Sequence, residues 1–143
     1  MFLDSSFMQT QDILHRAMSA SVIRQEVIAD NIANADTPHF KRRDVAFESE
    51  LNRALRSDSR GSADPHTFRA KLTHSRHIPF YRTKDYREVK PIVYLDYTTT
   101  YRNDGNNVDI EKEMVDAREN TLRYIAMSQR VNDNFKLLSQ VLR

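Results

Sequence analysis

Cysteine is absent from this sequence of 143 residues, and glycine and proline are scarce, with two and four residues respectively. Without cysteine there is no disulfide, no thiolate metal site and no cysteine nucleophile, and cysteine usage carries no information about the redox compartment. Gly61 and Gly105 are too few for a β-sandwich or barrel with a tight turn about every ten residues. They also cannot form a glycine-rich phosphate loop. Long helices fit this scarcity better.

Long apolar runs are missing as well. Hydrophobic residues make up 39% of the chain and charged residues 29%, a balance that predicts a small core. No stretch is long enough to span a bilayer. The apolar segment of a cleavable signal peptide is excluded by polar residues near the start, namely Asp4, Gln9, Gln11, Asp12 and His15. If the protein leaves the cytoplasm, we expect it to do so by another route.

One sign of charge predominates only in the middle of the chain. The formal net charge is +2, too small to indicate a polyanionic partner by itself. Between Arg53 and Lys90, however, ten residues are basic and four are acidic. With the aromatic residues in and after this region, the basic middle offers an alternative function as a surface for single-stranded nucleic acid. No nucleic-acid-binding motif accompanies it, and packing is the simpler role for the aromatic side chains.

The N-terminal part of the chain predicts one long helix. Neither glycine nor proline occurs between Phe7 and Ala35, and about 28 helical residues would span about 42 Å. The helix is expected to end where Asn34 can adopt a left-handed cap conformation before Pro38. Apolar or small residues recur at alternating steps of three and four, a narrow stripe of coiled-coil type. This stripe comprises Phe7, Leu14, Met18, Ser21, Ile28, Ile32 and Ala35, with Gln11 and Gln25 between them.

The C-terminal part predicts a second long helix with a stronger pattern. Asp109 is the expected N-cap, and Glu111 and Glu113 lie in the first turn, where carboxylates favour the positive end of the helix dipole. Residues 104–107, DGNN, predict a turn before it. The alternation of three and four then continues over about four heptads. We call this set the predicted seam: Met114, Ala117, Thr121, Tyr124, Ser128, Val131, Phe135, Leu138 and Leu142.

Packing the two terminal helices against each other is the simplest way to cover both stripes. The predicted fold is therefore mainly α, with long N- and C-terminal helices packed as a coiled-coil-like pair around an irregular, partly β centre. The pair is antiparallel if one chain pairs its own ends. Val115, Leu122 and Ile125 flank the predicted seam, and an apolar stripe left exposed in this way usually contacts another subunit.

The predicted organisation is one domain built in three segments. Residues 1–56 form the N-terminal helical region, 57–103 a basic, irregular or β segment, and 104–143 the C-terminal helix. Within these, Asp44 to Arg56 predicts a short helix, and Ser57 to His66 a loop. Residues 89–101 are rich in β-branched and aromatic side chains and predict one or two strands despite Pro91.

No catalytic, cofactor or metal site is predicted. His74 and His77 have the spacing of two ligands on one helical turn, with His66 nearby, but structural metal sites close with about four ligands. We therefore expect solvated loop histidines. The carboxylate pairs Glu111 and Glu113, and Glu48 and Glu50, are spaced by two residues and point to different sides of a helix. A solvated face is the expectation for them.

The stretch from Ile28 to Arg42, IADNIANADTPHFKR, resembles the N-terminal signature of bacterial flagellar axial proteins, which build the rod, the hook and the hook-associated structures. In that signature a helix ending in Asn-x-x-Asn runs into Thr-Pro and then an aromatic and a basic residue. Here these positions are Asn31, Asn34, Thr37, Pro38, Phe40 and Lys41. The segment DGNNVDIEKEM, from Asp104 to Met114, is similar to that of proximal-rod members. His39 stands where the family often has glycine.

The resemblance implies a structural building block of the bacterial flagellum rather than an enzyme. Its terminal helices would pack in the tubular periplasmic rod of the basal body, and the chain would be exported unfolded, without a cleavable signal peptide. The implied partners are other rod subunits, the adaptor to the membrane ring, the export apparatus and further copies of the chain. Nucleic acid, small-molecule substrates and cofactors are not expected.

The predicted assembly interface combines the signature with the predicted seam. It comprises Asn31, Asn34, Thr37, Pro38, Phe40, Met114, Tyr124, Val131, Phe135, Leu138 and Leu142. The two asparagines are expected to position backbone at a subunit contact. The alternative from the residues alone is a cytosolic coiled-coil adaptor or a nucleic-acid-binding module that uses the basic middle segment.

Overall fold

The computed structural model describes residues 6–61, 73–74, 76–77, 85–98 and 102–141. Its elements are α1 (Ser6–Ala33), β1 (Arg43–Ala46), α2 (Glu48–Gly61), a 3-10 helix (Tyr86–Glu88), β2 (Ile92–Leu95) and α3 (Ile110–Val141). The chain divides into two compact units, Met1–Val45 with Pro91–Arg143, and Ala46–Lys90. None of the helices in these ranges is long and apolar enough to cross a membrane.

The two terminal helices pack along each other in opposite directions. Near the end of α1, Asn31 contacts Glu113 in the first turn of α3. Near the start of α1, Gln11 contacts Asn134 in the last third of α3. The predicted mainly α fold with a long helical pair is confirmed, and its antiparallel direction follows from these contacts.

Both ends of the loop that joins α1 to β1 are held by side chains. Asn34 Nδ2 donates to the carbonyl oxygen of Asp30 at 2.8 Å and to its carboxylate at 3.1 Å, so the side chain caps the last turn of α1. The predicted left-handed conformation of Asn34 is wrong, because the positive φ angle, 61°, occurs at His39. The carbonyl oxygen of Asn34 then accepts the N–H of Thr37 at 3.0 Å, which starts the turn after the helix.

The start of α3 agrees with the sequence. Asp109 Oδ1 accepts the backbone N–H groups of Glu111 at 3.0 Å and Lys112 at 3.3 Å. This is the N-cap arrangement that satisfies donors without a partner inside the helix. The predicted cap is therefore confirmed.

The side of α3 that turns inward differs from the predicted seam. Six of the nine seam residues are exposed, namely Met114, Thr121, Tyr124, Ser128, Phe135 and Leu138. The buried or half-buried positions are Glu113, Asp116, Ala117, Asn120, Met127, Val131 and Asn134. The helix is rotated from the predicted orientation because three polar side chains, rather than the next apolar ones, bind α1.

These three contacts are called the polar rungs below. They pair Asn31 with Glu113 at 3.1 Å, Gln25 with Asn120 at 2.9 Å, and Gln11 with Asn134 at 3.0 Å. A rule that places only apolar residues inside a coiled coil cannot identify them. Buried polar residues at such positions specify the register of a helix pair while lowering its stability.

A two-stranded sheet completes the first unit. The N–H of Asp96, just after β2, donates to the carbonyl oxygen of Arg42, just before β1, at 2.8 Å. The end of β2 therefore lies beside the start of β1, and the strands run antiparallel. A strand within the predicted 89–101 region is confirmed at Ile92–Leu95, whereas residues 99–101 lie outside the described ranges.

Strand β1 was not predicted, and because it occupies residues 43–46, α2 begins later than the short helix predicted from Asp44. That helix begins at Glu48 instead of Asp44 and continues to Gly61, so the predicted loop from residue 57 is wrong for its first five residues. Residues 43–46 stay extended because the side chain of Asn31 binds both backbone groups of Arg43. This partner lies twelve residues away in the chain and leaves no local signal.

The second unit, Ala46–Lys90, has a small core of its own. Helix α2 packs against the 3-10 helix. The buried apolar side chains are Phe47, Leu51, Ala54, Tyr86 and Val89. Leu51 and Ala54 lie on α2, and Phe47 directly precedes it.

Candidate assembly site

Asn31 is the central residue of the junction between α1, β1 and α3. Its side chain is completely buried. Nδ2 donates to the carbonyl oxygen of Arg43 at 2.8 Å and to Glu113 Oε2 at 3.1 Å, and Oδ1 accepts the N–H of Arg43 at 2.9 Å. The side-chain amide of Asn31 therefore makes hydrogen bonds to β1 and to α3 at the same time, because an amide both donates and accepts.

Glu113 and Arg42 form the charged part of this junction. Glu113 is 0% exposed, and its Oε1 accepts from Arg42 Nε at 2.5 Å. Arg42 Nη1 also lies 3.1 Å from Asp44. Burial by itself would lower the pKa of Arg42, but the hydrogen bonds and charges of Glu113 and Asp44 outweigh it and raise that pKa. The predicted solvated face is therefore wrong for Glu113, although Glu111 is exposed.

Asn106 joins the end of α1 to the segment before α3. Its side chain is 0% exposed, and Nδ2 lies 2.9 to 3.1 Å from three carbonyl oxygens, those of Asn34, Ala35 and Thr37. Its Oδ1 accepts the N–H of Val108 at 2.8 Å. The chain turns at residues 102–105, which overlap the predicted DGNN turn, but the composition of that segment does not indicate that Asn106 is buried.

Asn107 makes the corresponding connection to the sheet. Oδ1 accepts the N–H of Arg42 at 2.7 Å, and Nδ2 donates to the carbonyl oxygen of Asp96 at 2.7 Å. Asp96 Oδ1 accepts from the hydroxyl and the N–H of Thr98, and these bonds lower the pKa of Asp96. The pair of adjacent asparagines after Gly105 is the feature of the sequence that could have indicated these two sets of contacts.

His39 and Gly105 approach each other across this junction. Both have a positive φ angle, 61° and 80°, a region that glycine enters without steric cost. The N–H of His39 donates to the carbonyl oxygen of Asp104 at 3.1 Å, and Lys41 Nζ donates to that of Gly105 at 2.6 Å. The turn thus uses the left-handed conformation at the position where the resembling family often has glycine.

A polar cavity of about 190 Å³ lies beside the junction. Among the residues lining it are Arg24, Arg42, Arg43 and Arg123, which could suggest an anion site. Each of these arginines already has a partner, namely the Val45 carbonyl, Glu113, Asp30 and Glu119 in that order. Carboxylates of the chain therefore compensate the charges of Arg42, Arg43 and Arg123, and a backbone carbonyl engages Arg24.

The structure divides the predicted interface residues into two groups. Of the signature residues, Asn31 is buried, Asn34 and Phe40 are half-buried, and Thr37 and Pro38 are exposed. Arg43 lies over the ring of Phe40, 5.9 Å from its centroid. On α3, Val131 is half-buried and the others are exposed, namely Met114, Tyr124, Phe135 and Leu138. Leu142 lies outside the described residues.

Most of the apolar surface of α3 faces away from α1. Leu122 is 66% and Phe135 57% exposed. Met114, Val115 and Ile125 are also exposed, so the flanking stripe of Val115, Leu122 and Ile125 is accessible as predicted. An apolar surface of this extent on a chain marks an interaction site.

The two described histidines of the middle segment are exposed. The rings of His74 and His77 are 5.9 Å apart, and His66 lies outside the described residues. In the part of the chain that the structure describes, no three possible ligands come together to hold a metal ion.

Comparison with known proteins identifies the relatives of this chain. The family described as flagella basal body rod protein matches residues 12–41, which cover most of α1 and the turn after it. The flagellar basal body rod protein FlgB of Borreliella burgdorferi is 35% identical over 139 residues, 97% of this chain and 99% of its own. FlgB of Bacillus subtilis is 33% identical over 96% of both chains.

FlgB of Escherichia coli K12 is 32% identical over 129 residues, 89% of this chain and 88% of its own. The segment that matches the family, residues 12–41, includes Asn31 and Asn34 of the junction. Because the similarity to all three relatives extends over at least 88% of each chain, this chain belongs to the FlgB family of flagellar basal body rod proteins.

Proposed function

We propose that this chain is a structural subunit of the flagellar basal-body rod that self-assembles through the exposed apolar side of α3. The family is a structural one and not an enzyme family. The observation that carries the proposal is the inverted distribution of polarity on α3. Polar side chains face α1, whereas Met114, Leu122 and Phe135 face outward.

The inverted distribution of polarity on α3 suits a subunit whose apolar surface is covered by neighbouring subunits. Apolar burial stabilises a helix pair by about 25 cal/mol for each Å² removed from water, and most of the apolar surface of α3 gains nothing from α1. A helix pair with a polar interior is marginal on its own, since isolated helices depend on packing for stability. Ordering of the terminal helices is then coupled to polymerisation.

The junction acts as an internal positioning device in this proposal. Because the amide of Asn31 is used completely within the chain, it does not itself contact a neighbour. It fixes the angle at which the loop carrying Thr37 and Pro38 leaves α1, and that loop is exposed. The exposed parts of the predicted interface are then the direct contacts.

The proposed location is the periplasmic rod, reached through the flagellar export apparatus. The proposed partners are other rod subunits, the adaptor to the membrane ring and the export apparatus. The relatives' names, which place them in the basal body rod, support this location. The alternative, a cytosolic adaptor or nucleic-acid-binding module, has no support among the relatives.

Substitution on the exposed side of α3 tests this function. Leu122→Asp and Phe135→Asp place a charge on the apolar surface, so neither variant is expected to enter purified basal bodies or support motility. Helicity of the dilute, unassembled variants by circular dichroism is expected to match that of the original chain under the same conditions, because both positions are exposed. Arg130→Asp is the control, an exposed position pointing about 80° away from Leu122 and about 140° away from Phe135. Normal rods built from Leu122→Asp and Phe135→Asp would refute the proposal.

A further inference from the structure

A groove of about 410 Å³ runs between α1 and α3. We call it the α1–α3 groove. Its lining is mainly apolar, and it contains one carboxylate, that of Glu26. The lining residues on α1 are Ser21, Val22, Gln25, Glu26 and Ala29, and those on α3 are Asn120, Thr121 and Tyr124.

Asn120 in this lining has an unsatisfied acceptor. Its side chain is 3% exposed, and Nδ2 donates to the carbonyl oxygen of Ser21 and to Gln25 Oε1, both at 2.9 Å. Oδ1 is buried and accepts no hydrogen bond within the described part of the chain. A buried acceptor without a partner is costly, so the helix pair is not fully satisfied at Asn120.

A complementary surface lies on the outer side of α3. Met114, Arg118, Leu122 and Ile125 follow one another at steps of four, four and three, and all are exposed. We call this set the α3 ridge. In the described ranges, no hydrogen bond or ion pair engages Arg118, and the same holds for Glu26 in the groove. The ridge is therefore apolar with one available cation, and the groove apolar with one available anion.

We propose that the α1–α3 groove binds the α3 ridge of a second copy of this chain, with Arg118 of that copy beside Glu26. A chain cannot fill its own groove with its own ridge, because both surfaces include α3. The occupant is therefore a separate molecule, and the opposite charges of Glu26 and Arg118 favour a second copy.

This contact joins two different surfaces of the same chain. Each copy offers a groove to one neighbour and a ridge to another, and such a heterologous contact can repeat along an assembly. The inference rests on the proposed self-assembly and names the surfaces that carry it.

Charge exchange tests the pairing. Glu26→Lys and Arg118→Glu are each expected to weaken self-association about tenfold or more in analytical ultracentrifugation, because each places like charges together. The chain carrying both substitutions is expected to recover most of the lost affinity, since the opposite charges face each other again. Circular dichroism of all three variants checks that they fold. No recovery in the double variant would overturn the pairing.

Disulfide cross-linking provides an independent test, because the natural chain has no cysteine. Mixing Val22→Cys chains with Leu122→Cys chains is expected to give a cross-linked heterodimer under mild oxidation. Val22→Cys mixed with Arg123→Cys, an exposed position that points about 100° away from Leu122, is the matched control and is expected to give none. Equal cross-linking in both mixtures would overturn the inference.

The two proposals fail in different ways. If Leu122→Asp prevents assembly but neither the charge exchange nor the cross-linking behaves as expected, the ridge binds a surface other than the groove. Only the present inference is then wrong. If Leu122→Asp and Phe135→Asp assemble normally, the proposed function itself is wrong.

Discussion

Asn31 and Glu113 lie 82 positions apart in the sequence, and both side chains are completely buried at one hydrogen bond of 3.1 Å. This contact closes the chain, since it joins the end of the first helix to the start of the last. The same carboxylate binds Arg42, and the same amide binds both backbone groups of Arg43. The signature residue thus acts on three elements through one side chain.

Asn31→Leu is therefore expected to be severely destabilising. The substitution leaves the N–H and carbonyl of Arg43 and one oxygen of Glu113 without their partner, and each unsatisfied buried group costs about 1–3 kcal/mol. A loss of at least about 3 kcal/mol in the free energy of unfolding is expected, measured by urea titration with circular dichroism. Asn34→Ala, which removes a half-buried cap, should cost only about 1 kcal/mol. Equal losses for both variants would contradict the central role of Asn31.

The pair formed by His39 and Gly105 allows a double-mutant test. A Cβ atom at Gly105 would lie 3.1 Å from His39 Nδ1, and its φ angle of 80° is unfavourable for any other residue. Gly105→Ala is expected to lower the free energy of unfolding by about 1–2 kcal/mol, whereas His39→Gly removes a strained φ and should cost little or stabilise.

The combination of the two substitutions separates contact from strain. In the His39→Gly background the imidazole is gone, so Gly105→Ala is expected to cost less than in the original chain, and the difference is the contact energy. Thermal and urea unfolding of the four proteins provide the measurement. Strict additivity would mean that the strain at Gly105, not the contact with His39, causes the loss.

The terminal helices were predictable because their signals are local. Between Phe7 and Ala35 no residue interrupts a helix, and Asp109 caps α3 with its own side chain. The register of α3 was not predictable from periodicity, because Asn120 and Asn134 occupy inward positions only through partners on α1. Apolar patterning assigned those positions to solvent.

The junction shows the same limit of local patterns. Asn31 and Asn34 were identified by resemblance, but their partners lie in β1, α3 and the preceding turn. Asn106 and Asn107 have the composition of an ordinary turn, and only the folded chain shows that Asn106 is fully buried. Long-range amide contacts leave no periodic trace in a sequence.

The acid dependence of stability is expected to involve Asp96. Its pKa is lowered by the hydroxyl and the N–H of Thr98, so protonation is harder in the folded than in the unfolded chain. A carboxylate of this kind contributes stability above its unfolded pKa of about 3.9, and the contribution disappears as the pH falls through the folded pKa. Stability should therefore decline below about pH 4 in part through this group.

Asp96→Asn measures that contribution. The free energy of unfolding of the variant is expected to fall less steeply than that of the original chain when urea titrations at pH 6 and pH 3 are compared. Asp133→Asn, which removes an exposed carboxylate of α3, controls for the change in net charge. The same slope in Asp96→Asn and the original chain would show that Asp96 is not part of the acid response.

Substitution in the polar rung between Gln11 and Asn134 distinguishes the effect of that contact on stability from its effect on the register of the helix pair. A hydrogen bond of this kind contributes about 1 kcal/mol, whereas burial of a leucine side chain contributes about 1.5–3 kcal/mol. Asn134→Leu is therefore expected to raise the midpoint of urea unfolding. Buried polar residues specify alignment, so the variant should also form off-register oligomers on refolding, detectable by light scattering.

Ser128→Leu, which adds the same side chain at an exposed position of α3, is the control and should leave the midpoint unchanged. A lower midpoint in Asn134→Leu would mean that the amide pair contributes more than apolar packing at this site, and that the polar interior stabilises the helix pair.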